Sequence, residues 1–248
     1  MEPKCEDAMR TDVLGVGFDN VTMAEAVAYA FGRIGSRRGA YAVTPNPEIV
    51  WLCRKQPGLR RALDGAALVL PDGIGVVYAA RILGTPLKGK VAGIDFASEL
   101  IKQLAASGKS VYLFGAKPGV AESAAETLKA RYKGLVIAGT ADGYFSDDGP
   151  VIDDINGKKP DFLMVCLGAP KQEYWMASNA GKLDVGLMAG LGGSLDVFAG
   201  TVRRAPEAWQ KLHLEWLFRL AKEPWRFARM MKLPLFLIAV IWRRIRGR

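Results

Sequence analysis

Short apolar runs alternate with helical patterns along most of the chain. The apolar runs have the length and the nearly continuous hydrophobicity of buried strands. They predict strands at Val13–Val16, Tyr41–Thr44, Ala67–Leu70, Ser110–Phe114, Leu135–Gly139, Phe162–Leu167 and Val185–Ala189. The patterns between them predict helices at Thr22–Ile34, Pro47–Leu63, Ile74–Leu83, Ile94–Ser107, Val120–Tyr132 and Lys171–Ala180. This alternation predicts an α/β fold, with a mostly parallel, Rossmann-like sheet and helices on both faces.

The strand pattern stops after residue 201, and two helices are predicted to follow. They cover Pro206–Lys222 and Pro224–Arg246, and each begins with a proline, which is favoured at the first position of a helix. Pro234 is expected to kink or break the second helix. We therefore predict an α/β domain at 1–201 and a helical, basic appendage at 202–248.

The appendage carries the whole net charge of +9. Residues 1–202 contain 22 Lys and Arg against 22 Asp and Glu, whereas residues 203–248 contain 12 against 3. Such a segment favours an anionic surface, which means acidic lipid, nucleic acid or phosphate. Its apolar run Leu233–Trp242 is too short to span a bilayer. Both a core helix and a helix lying in the membrane interface remain open for that run.

Composition excludes several classes of protein. Hydrophobic residues make up 50% of the chain, charged residues 24%, and the mean hydropathy is +0.09, values that exclude a disordered chain. Three scattered cysteines and one histidine argue against a zinc site or a disulfide framework and fit a reducing compartment. The chain lacks the motifs GxxxxGK[ST], GxSxG and DxD. We therefore expect no P-loop, no hydrolase triad, no metal and no cofactor. The first residues do not resemble a signal peptide.

Polar and glycine-rich segments follow the predicted strands, where open α/β sheets bind ligands. Asp72 follows one strand and is a candidate general base, although it could instead cap the next helix. Thr44 and Asn46 end a neighbouring strand, where Asn46 is suited to sugar hydroxyls or simply belongs to a turn. Gly192 and Gly193 follow the last strand and predict a turn that binds phosphate.

The appendage also carries regularly spaced cations. Arg219, Lys222, Arg226 and Arg229 are three, four and three residues apart, so a helix would place them in one stripe. A solvated helix face and a surface for phosphate or membrane both remain open for this stripe.

Eight sequence blocks occur in the order typical of one enzyme family. They are TPNPE, ALVLPDGIGV, GID, VYLFGAKPGV, GYF, CLGAPKQEYW, GLGGSLDVFAG and TVRRAPEAWQKLHLEWLFRLAKEPWRFARM. From about Val13 to Met231 the chain resembles the WecG/TagA/CpsF glycosyltransferases. The resemblance implies inverting transfer of N-acetylmannosamine, or a related sugar, from a UDP donor to GlcNAc-diphosphoundecaprenol. It places that reaction at the cytoplasmic face of bacterial membranes, without a metal, in making wall teichoic acid or another surface polysaccharide.

The same resemblance implies roles for individual residues. It makes Asp72 the catalytic base, assigns Thr44, Asn46 and Gln172 to the substrate pocket, and assigns Arg219, Arg226 and Arg229 to a segment that closes over the site. Lys90-Val91-Ala92-Gly93 stands where many members have Arg-Val-Thr-Gly, and Asp142 precedes GYF where many have His. These departures leave the donor sugar open.

The expected partners are a UDP-sugar, a polyprenyl-diphosphate-linked acceptor and an anionic membrane surface. A homo-oligomer in solution remains open, and no nucleic acid is expected as a partner. Two alternatives remain open from the residues alone: a Rossmann-type nucleotide-dependent oxidoreductase, and a non-catalytic binder of anionic lipid or nucleic acid that uses the basic appendage.

Overall fold

A six-stranded parallel sheet forms the centre of the protein. The computed structural model describes residues 10–35, 39–222, 227 and 231–247. The strands of the sheet are β3 (Ala40–Val43), β4 (Leu68–Val69), β5 (Ser110–Gly115), β6 (Val136–Ala141), β7 (Phe162–Cys166) and β8 (Leu187–Gly190). They lie in the order β4-β3-β8-β7-β5-β6, and every adjacent pair is parallel. β1 (Thr11–Val13) and β2 (Val16–Phe18) form a separate antiparallel hairpin.

Helices cover both faces of the sheet, as predicted. They are α1 (Met23–Ile34), α2 (Pro47–Cys53), α3 (Pro57–Asp64), α4 (Ile74–Leu83), α5 (Gly93–Ala106), α6 (Val120–Arg131), α7 (Gly149–Lys158), α8 (Lys171–Asn179), α9 (Ser194–Phe198), α10 (Glu207–Lys211), α11 (Glu215–Lys222) and α12 (Lys232–Arg246). The predicted α/β class, with helices on both faces and a helical C-terminal segment, is confirmed.

Successive strand residues point into two different cores, as the period of two in a β-strand requires. In β5, Val111 and Leu113 belong to the first core, together with residues of α1, α5, α6 and α9. Tyr112 and Phe114 belong to the second core, together with residues of α2, α3, α4, α7, α8 and α12. Both cores are apolar, so the strands read as nearly continuous hydrophobic runs.

The predicted strand Val13–Val16 is wrong. Leu14 and Gly15 adopt φ of +53° and +93°, which suits the two-residue turn of a tight hairpin. The apolar run is therefore the tip of the β1–β2 hairpin and forms no strand of the main sheet.

The predicted helix Pro47–Leu63 is two helices, α2 and α3. Pro57 begins α3, and the preceding Gln56 has ψ of +86°, outside the helical region. A proline removes the backbone N–H and disfavours helical geometry in the residue before it, so the chain turns here. The helices α7 and α9 were not predicted.

The C-terminal helices also differ from the prediction. α10 and α11 replace the single helix Pro206–Lys222, because His213 between them adopts φ of +59°. Pro224 lies outside the described residues. α12 begins only at Lys232, two residues before Pro234, which fits the predicted interruption of the second helix at this proline. Pro234 is the third residue of α12, where the backbone N–H has no partner within the helix.

α12 packs along α2 and α4. It buries Phe236 and Val240 in the second core, with exposed fractions of 3% and 0%. At its start Lys232 pairs with Glu48 in the first turn of α2, at 2.9 Å. Near its end Arg244 donates to the Leu83 carbonyl at the end of α4. α12 therefore starts at the carboxyl ends of β3 and β4 and runs in the direction of α4.

No helix within the described ranges has both the length and the apolar content that crossing a bilayer requires. The division of the chain at residue 201 stays a prediction.

Candidate active site

The sequence-predicted site residues of the α/β part follow four adjacent strands. Asp72 follows β4, Thr44 and Asn46 follow β3, Gly192 and Gly193 follow β8, and Gln172 follows β7. We call the carboxyl ends of these four strands the rim. The ends of these four strands thus bring together six residues that are up to 149 positions apart in the sequence. Ligands bind at this edge in open α/β sheets.

Asp72 is partly buried at the end of the rim formed by β4. Its backbone N–H donates to the Pro45 carbonyl at 3.3 Å, which joins it to the segment after β3. The N-cap of α4 is Gly73, with φ of +92°, so Asp72 lies one residue before the cap and the capping alternative is wrong. Gly73 lies against Pro47 and Asn46, and a β-carbon there would be 3.5 Å from Pro47 Cδ. Asp72 and Asn46 are therefore neighbours.

The side chains of Asn46 and Thr44 each form a hydrogen bond with a backbone group. Asn46 is the N-cap of α2, and its Oδ1 accepts from the Ile49 N–H at 3.0 Å. Thr44 is buried and donates from Oγ1 to the Gly190 carbonyl at 2.9 Å, which ties β3 to β8. Gly93 approaches this hydroxyl so closely that a β-carbon would lie 3.2 Å from it.

Gln172 is held at both ends of its amide. Its Oε1 accepts from the Gly192 N–H at 3.0 Å, and its Nε2 donates to Glu173 Oε1 at 2.9 Å. These bonds fix which way the amide faces and tie the segment after β7 to the turn after β8. Gln172 is only 3% exposed, and its predicted role in binding substrate stays a prediction.

Glu173 is the residue of this region that sequence reasoning missed. It is 1% exposed, and burial raises the pKa of its carboxyl above the ordinary value. Its Oε2 accepts no hydrogen bond from any residue that the structure describes. A buried carboxyl with one unpartnered oxygen favours the protonated form. The motif KQE places it beside Gln172, but its burial depends on contacts that the motif does not reveal.

The turn Gly190–Ser194 was predicted to bind phosphate through its backbone N–H groups. In the structure Gly192 N–H donates to Gln172, and Ser194 N–H donates to the Leu191 carbonyl at 3.2 Å. A phosphate at this turn would compete with these two bonds. The substrate-binding roles of Gly192 and Gly193 stay predictions.

Four charged side chains connect the rim to the C-terminal segment. Lys90 Nζ lies 2.8 Å from Glu215 Oε2, and the Arg204 guanidinium binds both oxygens of Asp95, at 2.6 and 2.8 Å. Arg204 Nε also lies 3.6 Å from Glu215 Oε1. Glu215 begins α11, the helix that carries Arg219. We call Lys90, Asp95, Arg204 and Glu215 the four-charge cluster; sequence reasoning did not find it as a cluster.

The three predicted C-terminal arginines fall at or beyond the edge of the described structure. Arg219 lies on α11, but its side chain is outside the described part, and Arg226 and Arg229 lie outside the described residues. Their roles stay predictions. Within the described ranges, no three His, Cys, Asp or Glu side chains come together in an arrangement that would hold a metal ion.

Comparison with known proteins decides the family. Residues 11–248 match the Glycosyl transferase WecG/TagA/CpsF family. The chain belongs to this glycosyltransferase family. The rim and its candidate base are therefore the candidate active site of a sugar-transferring enzyme, and the oxidoreductase alternative gains no support.

Curated relatives cover most of the chain. A protein of Bacillus spizizenii is 38% identical over 208 residues, which is 84% of this chain and 81% of the relative. A protein of Staphylococcus aureus is 35% identical over 234 residues, which is 93% of this chain and 92% of the relative. Both are named N-acetylglucosaminyldiphosphoundecaprenol N-acetyl-beta-D-mannosaminyltransferase. The family resemblance found from the sequence blocks is thus confirmed.

Proposed function

We propose that this protein transfers N-acetylmannosamine from a UDP donor to GlcNAc-diphosphoundecaprenol, with inversion at the transferred sugar. The single observation that carries the proposal is the position of Asp72, beside Asn46 at the rim of a family member. The names of the relatives support this choice of acceptor and transferred sugar.

Asp72 is the proposed general base. As the 4-hydroxyl oxygen of the acceptor attacks the anomeric carbon, the carboxylate of Asp72 takes the hydroxyl proton. The bond between the sugar and UDP breaks, its electron pair leaves with the diphosphate, and the opposite face of the sugar carries the new β-linkage. A positioned base of this kind contributes about 10²–10⁴-fold to the rate.

The leaving diphosphate needs positive charge close to it. Arg219, Arg226 and Arg229 are proposed to supply that charge from the C-terminal segment, because arginine binds phosphate through two parallel hydrogen bonds. The position of α11 next to the Lys90 loop supports this, since the helix that carries Arg219 starts beside the rim. Preorganised cations lower the barrier because they need no rearrangement when the charge develops.

The acceptor is anchored in a membrane, so the enzyme is proposed to bind the cytoplasmic surface of that membrane peripherally. α12 supports this because its outward face is apolar and exposed. That face consists of Leu235, Leu237, Ile238, Ile241, Trp242 and Ile245. Arg246 stacks on the Trp242 ring, 3.6 Å from its centroid, as cations and tryptophan commonly do at headgroup level. Arginines of the last turn add attraction to anionic lipid, about 1 kcal/mol each.

The proposal is tested by incubating the protein with a panel of UDP-sugars and a short-chain GlcNAc-diphospholipid. We expect release of UDP and a disaccharide lipid with UDP-N-acetylmannosamine, and much slower reaction with the other donors. Equal or faster transfer from a different UDP-sugar would overturn the assignment of the donor. No transfer from any donor would overturn the reaction itself.

A further inference from the structure

The four-charge cluster joins two parts of the chain that are distant in sequence. Lys90 and Asp95 lie before and within the first turn of α5, whereas Arg204 and Glu215 belong to the C-terminal segment. The Arg204–Asp95 pair is bidentate, so it fixes the direction as well as the distance of the connection. The Lys90–Glu215 pair then ties the first residue of α11 to the loop before α5.

This loop is directly attached to the candidate active site. The N–H of Val91, next to Lys90, donates to the carbonyl of Pro71 at 2.9 Å, and Pro71 immediately precedes Asp72. Arg219 follows Glu215 by four residues, so it lies one helical turn farther along α11. The loop of Lys90 is therefore bonded both to the residue before the candidate base and to the helix of a predicted diphosphate-binding arginine.

The surroundings of this pair differ from those of an ordinary surface ion pair. The Lys90 and Glu215 side chains are 18% and 21% exposed, whereas Lys88 and Glu25, which pair two residues away, are 45% and 48% exposed. Exposed pairs are screened by water and salt and contribute little. Removing one partner of a less exposed pair destabilises the contact more, because the other charge is left without compensation.

We infer that the Lys90–Glu215 pair is a positioning contact, which holds α11 at the rim so that the site next to Asp72 is complete. This inference rests on the proposed function, because it concerns the same site. Lys90 and Glu215 act through α11 and are not assigned contact with substrate. Arg204 and Asp95 anchor the segment on which that contact depends.

The test compares Lys90→Met, Glu215→Gln and the double variant with Lys88→Met. Lys88→Met is the matched control, since it removes the same side chain from the same loop and also breaks a pair with a glutamate. Hydrogen exchange of the α11 amides is measured together with kcat and KM for the UDP-sugar. Circular dichroism and the midpoint of thermal unfolding establish that each variant is folded, and Lys90→Arg keeps the charge if Lys90→Met does not fold.

We expect both single variants to exchange faster in α11 and to lose about tenfold or more in kcat/KM, within the coupling range of contacting residues. Since the two residues act as a pair, the double variant should have a kcat/KM no lower than that of the less active single variant. Lys90→Arg should retain most of the activity, and Lys88→Met should match the wild type in both measurements.

Unchanged exchange of α11 in the Lys90 and Glu215 variants would overturn the inference, whatever their activity. So would independent losses that multiply in the double variant, or an equal loss in Lys88→Met. If the wild-type protein transfers no sugar from any donor, the proposed function fails. The exchange measurement still decides whether the pair positions α11.

Discussion

The rim of the sheet and the C-terminal segment are held by different kinds of contact. At the rim, Thr44 and Gln172 are buried and make hydrogen bonds between neighbouring strand ends. Early in the C-terminal segment, α11 is attached to the rim through the partly exposed charges of the four-charge cluster. Buried hydrogen bonds thus hold the rim residues, whereas ion pairs hold α11 beside them.

α12 differs again from α11. Its inward face is packed in the second core through Phe236 and Val240, while its outward face exposes apolar side chains such as Ile238, which is 62% exposed. One helix thus offers apolar surface in two directions. The inward face stabilises the fold, and the outward face is the surface proposed to meet lipid.

The largest effect is expected at the rim. Asp72→Asn should lower kcat by about 10²–10⁴-fold, because an amide cannot take the proton of the acceptor hydroxyl. Binding of UDP, measured by calorimetry, should persist. The matched control is Asp147→Asn, an exposed aspartate whose oxygen accepts from the Gly149 N–H, a bond that asparagine can keep. Turnover near the wild-type value in Asp72→Asn would rule out Asp72 as the base.

The two faces of α12 should respond differently to truncation. Phe236→Ala removes a buried ring and should lower the free energy of unfolding by about 3–5 kcal/mol. Ile238→Ala, on the outward face, should change it by less than about 0.5 kcal/mol. Chemical denaturation measures both. Equal losses would mean that the faces of α12 are not divided between core and solvent as described.

A smaller and pH-dependent effect is expected at Glu173. Burial raises the pKa of this carboxyl in the folded state, so its contribution to stability is complete below about pH 4.5, its ordinary value, and is lost as the pH rises through the raised pKa. Glu173→Gln resembles the protonated form and keeps an oxygen that can accept from Gln172. At pH 4 its melting temperature should equal that of the wild type. At pH 8 its melting temperature should be higher, by about 2–4 °C for each 1 kcal/mol of stability that the wild type loses when Glu173 ionises.

A melting temperature of Glu173→Gln that is below that of the wild type at pH 8 would contradict a protonated Glu173. A gap between the two proteins that is the same at every pH would contradict it too, since the effect then would not come from titration.

Much of the rim could be predicted from the sequence, because each strand and the residues after it are recognisable from the local sequence alone. Buried parallel strands are continuous apolar runs, and the residues that follow them must meet at one edge of the sheet, so Asp72, Asn46 and Gln172 could be placed together. The Lys90–Glu215 pair could not be predicted, because its partners are 125 residues apart and neither local sequence indicates a contact with the other. The burial of Glu173 could not be predicted either, because it depends on tertiary packing. The hairpin turn depends on the positive φ of Leu14, which the apolar run did not indicate.

The most direct test of the division between the rim and α12 uses two forms of the same acceptor. One is a short-chain, water-soluble GlcNAc-diphospholipid, and the other is the long-chain lipid embedded in anionic vesicles. Asp72→Asn should lose activity on both. The double change Ile238→Glu and Ile245→Glu on the outward face of α12 should keep the wild-type rate on the soluble acceptor and lose most of it on vesicles. An equal loss of activity on the soluble acceptor would contradict this division, because α12 would then not serve membrane binding separately from the chemistry.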